Sequence, residues 1–98
     1  MRASDRICLR PAGYMSADLG NEFVILGRKH ETYYGVNGVA ARIWELIQEP
    51  QTFDTLVRCI ADEFEVDPRI CAADIGSFLN ELSDKAIIEI VPETVSGV

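Results

Sequence analysis

Histidine, cysteine and basic residues are all scarce in this 98-residue chain, and each scarcity removes a class of function. Cys8, Cys59 and Cys71 are odd in number and widely spaced, which argues against a disulfide scaffold. There is no Cys-x-x-Cys, and His30 is the lone imidazole, so no zinc-type ligand set emerges. His30 sits in a charged turn, Arg28-Lys29-His30-Glu31, and reads as solvated rather than catalytic. Asp62, Glu63, Glu65 and Asp67 crowd one stretch but lack the EF-hand spacing and its glycine, which suits a solvated acidic turn. Nucleophile-elbow, phosphate-loop, His-Glu-x-x-His and Gly-x-Gly-x-x-Gly patterns are absent. Neither enzyme activity nor a cofactor is expected.

Long apolar runs are missing too. No stretch approaches the roughly 20 residues that span a bilayer. The start, MRASDRICLRP, carries Asp5 and no apolar centre, so it is not a signal peptide. A cytoplasmic protein without a membrane partner is expected. Lys and Arg number 9 against 16 Asp and Glu, for a net charge of −7. Residues 1–50 hold six basic and six acidic side chains, whereas residues 51–98 hold three and ten. Phosphate backbones and anionic membranes are poor partners for such a surface, and a neutral or basic peptide suits it better.

What is present is the pattern of one small domain. Ile7–Arg10 reads as a first strand or an extended arm, closed by Pro11 and Gly13. Tyr14–Leu19 alternates weakly, Gly20-Asn21 is a hairpin signal, and Glu22–Leu26 is the strongest strand in the chain. Gly27–His30 makes a second turn, with Gly27 free to take a positive φ. Thr32–Val36, β-branched and aromatic, follows as a strand. Tight turns make these three strands antiparallel neighbours.

Three helices complete the pattern. Asn37 reads as the N-cap of the first, about Gly38 to Gln48, whose core face is Ala40, Ile43, Trp44 and Ile47. Pro50 stops it. Thr52 caps a second helix, about Phe53–Phe64, and Asp67-Pro68 opens a third that reaches about Lys85. Ile87–Val91 suits a short closing strand. The expected fold is therefore α+β: a three-stranded antiparallel sheet, then three helices, with the layout of a winged helix-turn-helix. Residues 1–13 form an arm or extra strand, residues 14–92 the domain, and residues 93–98 a frayed tail.

Function is expected at a strand edge. An edge strand leaves alternate main-chain groups unpaired, and Thr32–Val36 has neither the Lys nor the Pro that usually blunts such an edge. On the third helix, Cys71, Ile75, Phe78, Leu79, Leu82 and Ala86 form one broad apolar face with Asp74 and Lys85 at its border. That stripe is either wholly core or, around Ile75, Phe78 and Leu82, the wall of a groove opposite the strand. A peptide added there would take affinity from main-chain bonds and specificity from side-chain pockets, with Tyr33 or Tyr34 as an aromatic wall.

From about Met15 to Val91 the chain resembles the PqqD-like family of recognition domains for ribosomal precursor peptides. The resemblance rests on EFVIL, TYYGVNGVAARIWELI, EPQTFDTLVRCIADEFEVDP and DIGSFLNELSDKAII, in order and without large gaps. The stand-alone B1 proteins of lasso-peptide clusters are the most similar variants. The resemblance implies a winged-helix-like fold and a precursor leader bound as an extra strand on Thr32–Val36, against Asp74–Leu82. It further implies backbone contacts from Tyr33, Tyr34, Gly35 and Val36, apolar contacts from Ile75, Phe78 and Leu82, and a polar or basic leader group at Asp74. The partner enzyme would be a leader peptidase or a radical SAM enzyme. Two rivals use the same layout. A DNA-binding regulator is opposed by the third helix, which sets only Arg69 and Lys85 against Asp74, Glu81 and Asp84. A homodimer through the edge strand uses the same bonds as peptide pairing.

Overall fold

The computed structural model describes residues 1–92. The expectations of a frayed tail at 93–98 and a solvated His30 side chain lie outside the described residues. Six strands and three helices follow one another as β1 (Arg6–Leu9), β2 (Tyr14–Asp18), β3 (Glu22–Gly27), β4 (Thr32–Asn37), α1 (Gly38–Leu46), β5 (Gln51–Thr52), α2 (Phe53–Phe64), α3 (Pro68–Asp84) and β6 (Ile88–Val91). They make an α+β fold with two antiparallel sheets, ordered β2-β3-β4 and β5-β1-β6.

The first sheet is the expected one. Its first hairpin turns at Gly20, whose φ of +97° is open to glycine and strained for other residues. The second hairpin differs from expectation. Gly27 has no positive φ; Glu31 takes the left-handed conformation instead, at φ +48°. Gly27 is small for a different reason: a Cβ there would press on the Ile87 side chain at 3.2 Å, where the sheet meets the closing strand.

The second sheet joins the ends of the chain to the helices. β1 pairs with β6 from Arg6↔Val91 to Leu9↔Ile88 and with the two-residue β5 through Arg6↔Thr52. Ile7 is fully buried within the core formed with Trp44, Ile47 and Ile88. Ahead of it, Asp5 accepts a hydrogen bond from the Arg2 N–H (2.9 Å), and its carbonyl receives the Phe53 N–H (2.8 Å). The N-terminal segment thereby satisfies free N–H groups at the start of α2.

Helix ends follow the expected caps with one exception. Thr52 Oγ1 accepts from the Thr55 N–H, and the Asp67 carboxylate accepts from the Arg69 N–H. Asn37 stands at the N-cap position with extended φ and ψ, yet its side chain makes no capping bond. Gly38, at φ +57°, turns the chain from strand to helix within one residue. α1 stops at Leu46, two residues short of the expected Gln48. Ile43, Trp44 and Ile47 are buried as expected, and Tyr14 stacks edge-on against Trp44 with ring centroids 5.1 Å apart. That contact fixes β2 over α1. No helix among the described residues is long and apolar enough to cross a membrane.

Candidate peptide-binding site

β4 lies at one edge of its sheet, with only β3 beside it. Which of its main-chain groups face outward follows from the first hairpin. The Leu19 N–H donates to the Glu22 carbonyl, and the Arg28 N–H donates to the Gly13 carbonyl, each at 2.9 Å. Hydrogen-bonded pairs alternate in an antiparallel ladder, so Ala17↔Val24 and Met15↔Leu26 are the bonded pairs between β2 and β3. Phe23, Ile25 and Gly27 therefore turn their main-chain groups toward β4, where they meet Val36, Tyr34 and Thr32. The N–H and C=O groups of Tyr33 and Gly35 are left facing the free edge.

Side chains divide in the opposite sense. Val36 is buried and Tyr34 half-buried against the core, whereas the Tyr33 side chain is 67% exposed. Tyr34 is thus the aromatic residue on the α3 side. Its hydroxyl is buried without a hydrogen-bond partner. Burial first, then the negative charges of Glu81 and Asp84, push the phenol above its usual pKa. Tyr34 accordingly marks where β4 passes the C-terminal half of α3.

Beyond the other end of β4, a cavity of about 330 Å³ opens between α1 and α3. Its wall includes Val39, Ala40 and Ile43 of α1, Val66 of the interhelical turn, and Ile70, Cys71, Asp74, Ile75 and Phe78 of α3. The mouth is apolar and wet: Val39, Val66 and Ile70 are 38%, 43% and 66% exposed. These three residues give the cavity an apolar rim. Burial, then the nearby Asp74 charge, raises the Cys71 thiol pKa, so the thiol stays neutral and acts as a small apolar wall atom. Asp74 is the cavity's one charged lining residue, and among the described residues no cationic group lies within salt-bridge distance of it.

The residues anticipated from sequence therefore separate. Thr32, Tyr33, Tyr34, Gly35 and Val36 lie along the edge strand, but only Tyr33 and Gly35 direct main-chain groups outward. Phe78 is half-buried on the cavity wall, and Ile75, almost fully buried, forms its floor. Leu82 differs from expectation. It is fully buried in the core and does not line the cavity. Val39, Val66 and Ile70 were not anticipated. A signal for Ile70 existed: it stands one turn before Asp74 on the same helical face, outside the core stripe.

The remaining charges are arranged differently. Glu63 binds Arg42 through two bonds of 2.8 and 2.9 Å, which holds its carboxyl below the usual range, and Asp67 serves as a cap. No group of three or more candidate metal ligands occurs among the described residues.

The fold is that of a small winged-helix-like α+β domain with an open sheet edge, a feature to which extended peptides can add in other proteins. The model of one family, coenzyme PQQ synthesis protein D (PqqD), matches residues 22–88, and this chain belongs to that family. Its fold is also similar to that of TbiB1, solved in complex with the TbiA(beta) leader peptide. The two are 29% identical, with a TM-score of 0.75, over 88% of this chain and 99% of the other. No curated protein matches the chain.

Proposed function

We propose that this protein is a non-catalytic recognition domain that binds the leader segment of a ribosomal precursor peptide as an added strand on β4. The observation that carries the reading is the pair of outward-facing residues, Tyr33 and Gly35, set beside the apolar cavity of α1 and α3. Main-chain bonds to Tyr33 and Gly35 supply sequence-independent affinity, and side chains on the inner face of the bound strand reach the apolar cavity walled by Phe78. Membership of the PqqD family and the likeness to TbiB1, a leader-peptide complex, support the same reading.

The domain then hands the bound precursor to a separate enzyme, a leader peptidase in a lasso-type pathway or a radical SAM enzyme in a PQQ-type pathway. The cytoplasm, where precursors are translated, is the place for that handover. An edge-to-edge homodimer has a second surface available in β2, which is also a sheet edge, so it need not compete for β4. Titration of the protein with the leader of a precursor encoded beside it tests the proposal. Saturable one-to-one binding that is lost on Gly35→Pro supports it; binding indifferent to that substitution contradicts it.

A further inference from the structure

The outward face of the sheet β2-β3-β4 carries an apolar layer that strand addition at the edge does not cover. Cross-strand pairing sets Met15, Leu26 and Tyr33 in one row and Ala17, Val24 and Gly35 in the next, and none of these six residues is charged. Met15, Leu26 and Tyr33 are 57%, 40% and 67% exposed. An antiparallel sheet packed on one side ordinarily turns polar residues to water on the other. Here the outer face has no charge to desolvate when it is covered. We propose that it packs on the same face of a second copy of this chain, in a two-fold dimer whose strands run in opposite directions. This inference does not depend on strand addition.

Shape and charge both fit a second copy. One row is built of large side chains and the other of small ones. A two-fold axis lying across the strands, between the two rows, sets each row over the other row of the opposite copy. Met15 of one copy then faces Ala17 of the other, Leu26 faces Val24, and Tyr33 faces Gly35, so large side chains enter the gaps above small ones. A Cβ on Gly35 would meet nothing within 4 Å, which leaves open space for the Tyr33 ring. The same axis reverses β3 against its copy. Glu22 opens β3 and Arg28 follows its last residue, both exposed, so each end of the interface gains a Glu22–Arg28 pair. An axis along the strands would instead oppose like charges at both ends. The face is small: three strands about 4.8 Å apart and about four same-face residues per strand give roughly 14 by 26 Å, short of the roughly 800 Å² that each partner buries in a stable complex. The pairing is therefore weak and concentration-dependent. It leaves both β4 edges free, because edge groups point within the plane of the sheet, and it sets the two edges side by side about 10 Å apart.

Sedimentation equilibrium of the intact protein without peptide, from about 10 μM to about 1 mM, is the test. The expected result is monomer at the low end and a growing dimer fraction at the high end. Leu26→Lys places a charge at the centre of the face and should leave only monomer, with circular dichroism showing the fold retained. Glu22→Arg and Arg28→Glu should each weaken the dimer by about tenfold or more, and the double variant should return it to within about threefold of the native value. A native protein that stays monomeric throughout overturns the proposal and leaves strand addition standing. A dimer that survives Leu26→Lys, as one through the β2 edge would, overturns it as well. A double variant no stronger than the single ones overturns the reversed-strand arrangement.

Discussion

The sheet β2-β3-β4 has two free edges, and they are not equivalent. β2 and β4 both lack lysine and proline, and each is paired on one side only. By the same alternation that exposes Tyr33 and Gly35 on β4, the main-chain groups of Tyr14, Ser16 and Asp18 face outward on β2. Yet residues 15–18 of β2 are all exposed, and only Tyr14 of that strand meets a helix, at Trp44 of α1, whereas β4 buries Val36, sets Tyr34 near Glu81 and Asp84 of α3, and leads into α1 at the cavity. Hydrogen-bonding potential is common to both edges; a side-chain wall belongs to one. What distinguishes the proposed recognition edge from the bare one is therefore the side chains beside it, since main-chain bonds carry no sequence information.

Proline substitution is the strongest way to break the comparison. Gly35→Pro deletes an outward N–H on β4 and should reduce leader binding by at least about a hundredfold, the loss of a strand-addition register and not of one bond. Ser16→Pro deletes the equivalent donor on β2 and should leave binding within about twofold. Isothermal titration of both variants checks this, and equal losses would erase the distinction between the edges.

Two residues of α3 sharpen it next. Leu82→Ala should destabilise the domain by about 2–5 kcal/mol, the usual cost of emptying a buried leucine site, while the folded fraction binds normally. Phe78→Ala, at a half-buried position, should cost less stability, about 1–3 kcal/mol, but weaken binding by tenfold or more. Denaturant unfolding read beside peptide titration separates the two, and a Phe78 variant that loses stability alone would make Phe78 plain core.

Smaller effects are expected at Tyr34 and at the Arg42–Glu63 pair. Tyr34→Phe removes a buried hydroxyl that has no partner, so stability should hold or rise by up to about 1 kcal/mol. Because burial and nearby negative charge raise the Tyr34 pKa in the folded state, the fold disfavours the phenolate: stability is at its full value below the ordinary tyrosine range and is lost as pH climbs through the raised value. An ultraviolet titration should show a tyrosine phase above the ordinary tyrosine range, and Tyr34→Phe should abolish that late phase. Glu63 shifts the opposite way. Its carboxyl is lowered by Arg42, so its contribution is present above the ordinary carboxylate range and fades as pH falls through the lowered value. Both partners are solvent-exposed, so Glu63→Gln should change the denaturation midpoint only slightly near neutral pH and not at all in strong acid.

Much of this was legible in the chain. The strand-forming stretches Glu22–Leu26 and Thr32–Val36, rich in β-branched and aromatic residues, with Gly20-Asn21 between the first two strands, fix the sheet, and Thr52 and Asp67-Pro68 mark two helix starts through side-chain oxygens that do bond the backbone. Other features depend on long-range packing. The β1–β6 pairing joins residues at opposite ends of the sequence, and no local pattern in Ile7–Arg10 names its partner. Asn37 has the composition of a cap, but Gly38 makes the turn without it. Leu82 and Phe78 share one helical stripe, and periodicity alone does not tell which of them the fold will bury completely. The exposed mouth of Val39, Val66 and Ile70 gathers residues from three segments whose adjacency exists only in the fold.

Amide hydrogen exchange with and without bound leader peptide tests the central claim most directly. The account predicts strong new protection at the Tyr33 and Gly35 amides and none at Ser16 and Asp18 on the opposite edge. Binding without protection at Tyr33 and Gly35, or with protection on β2 instead, would contradict it.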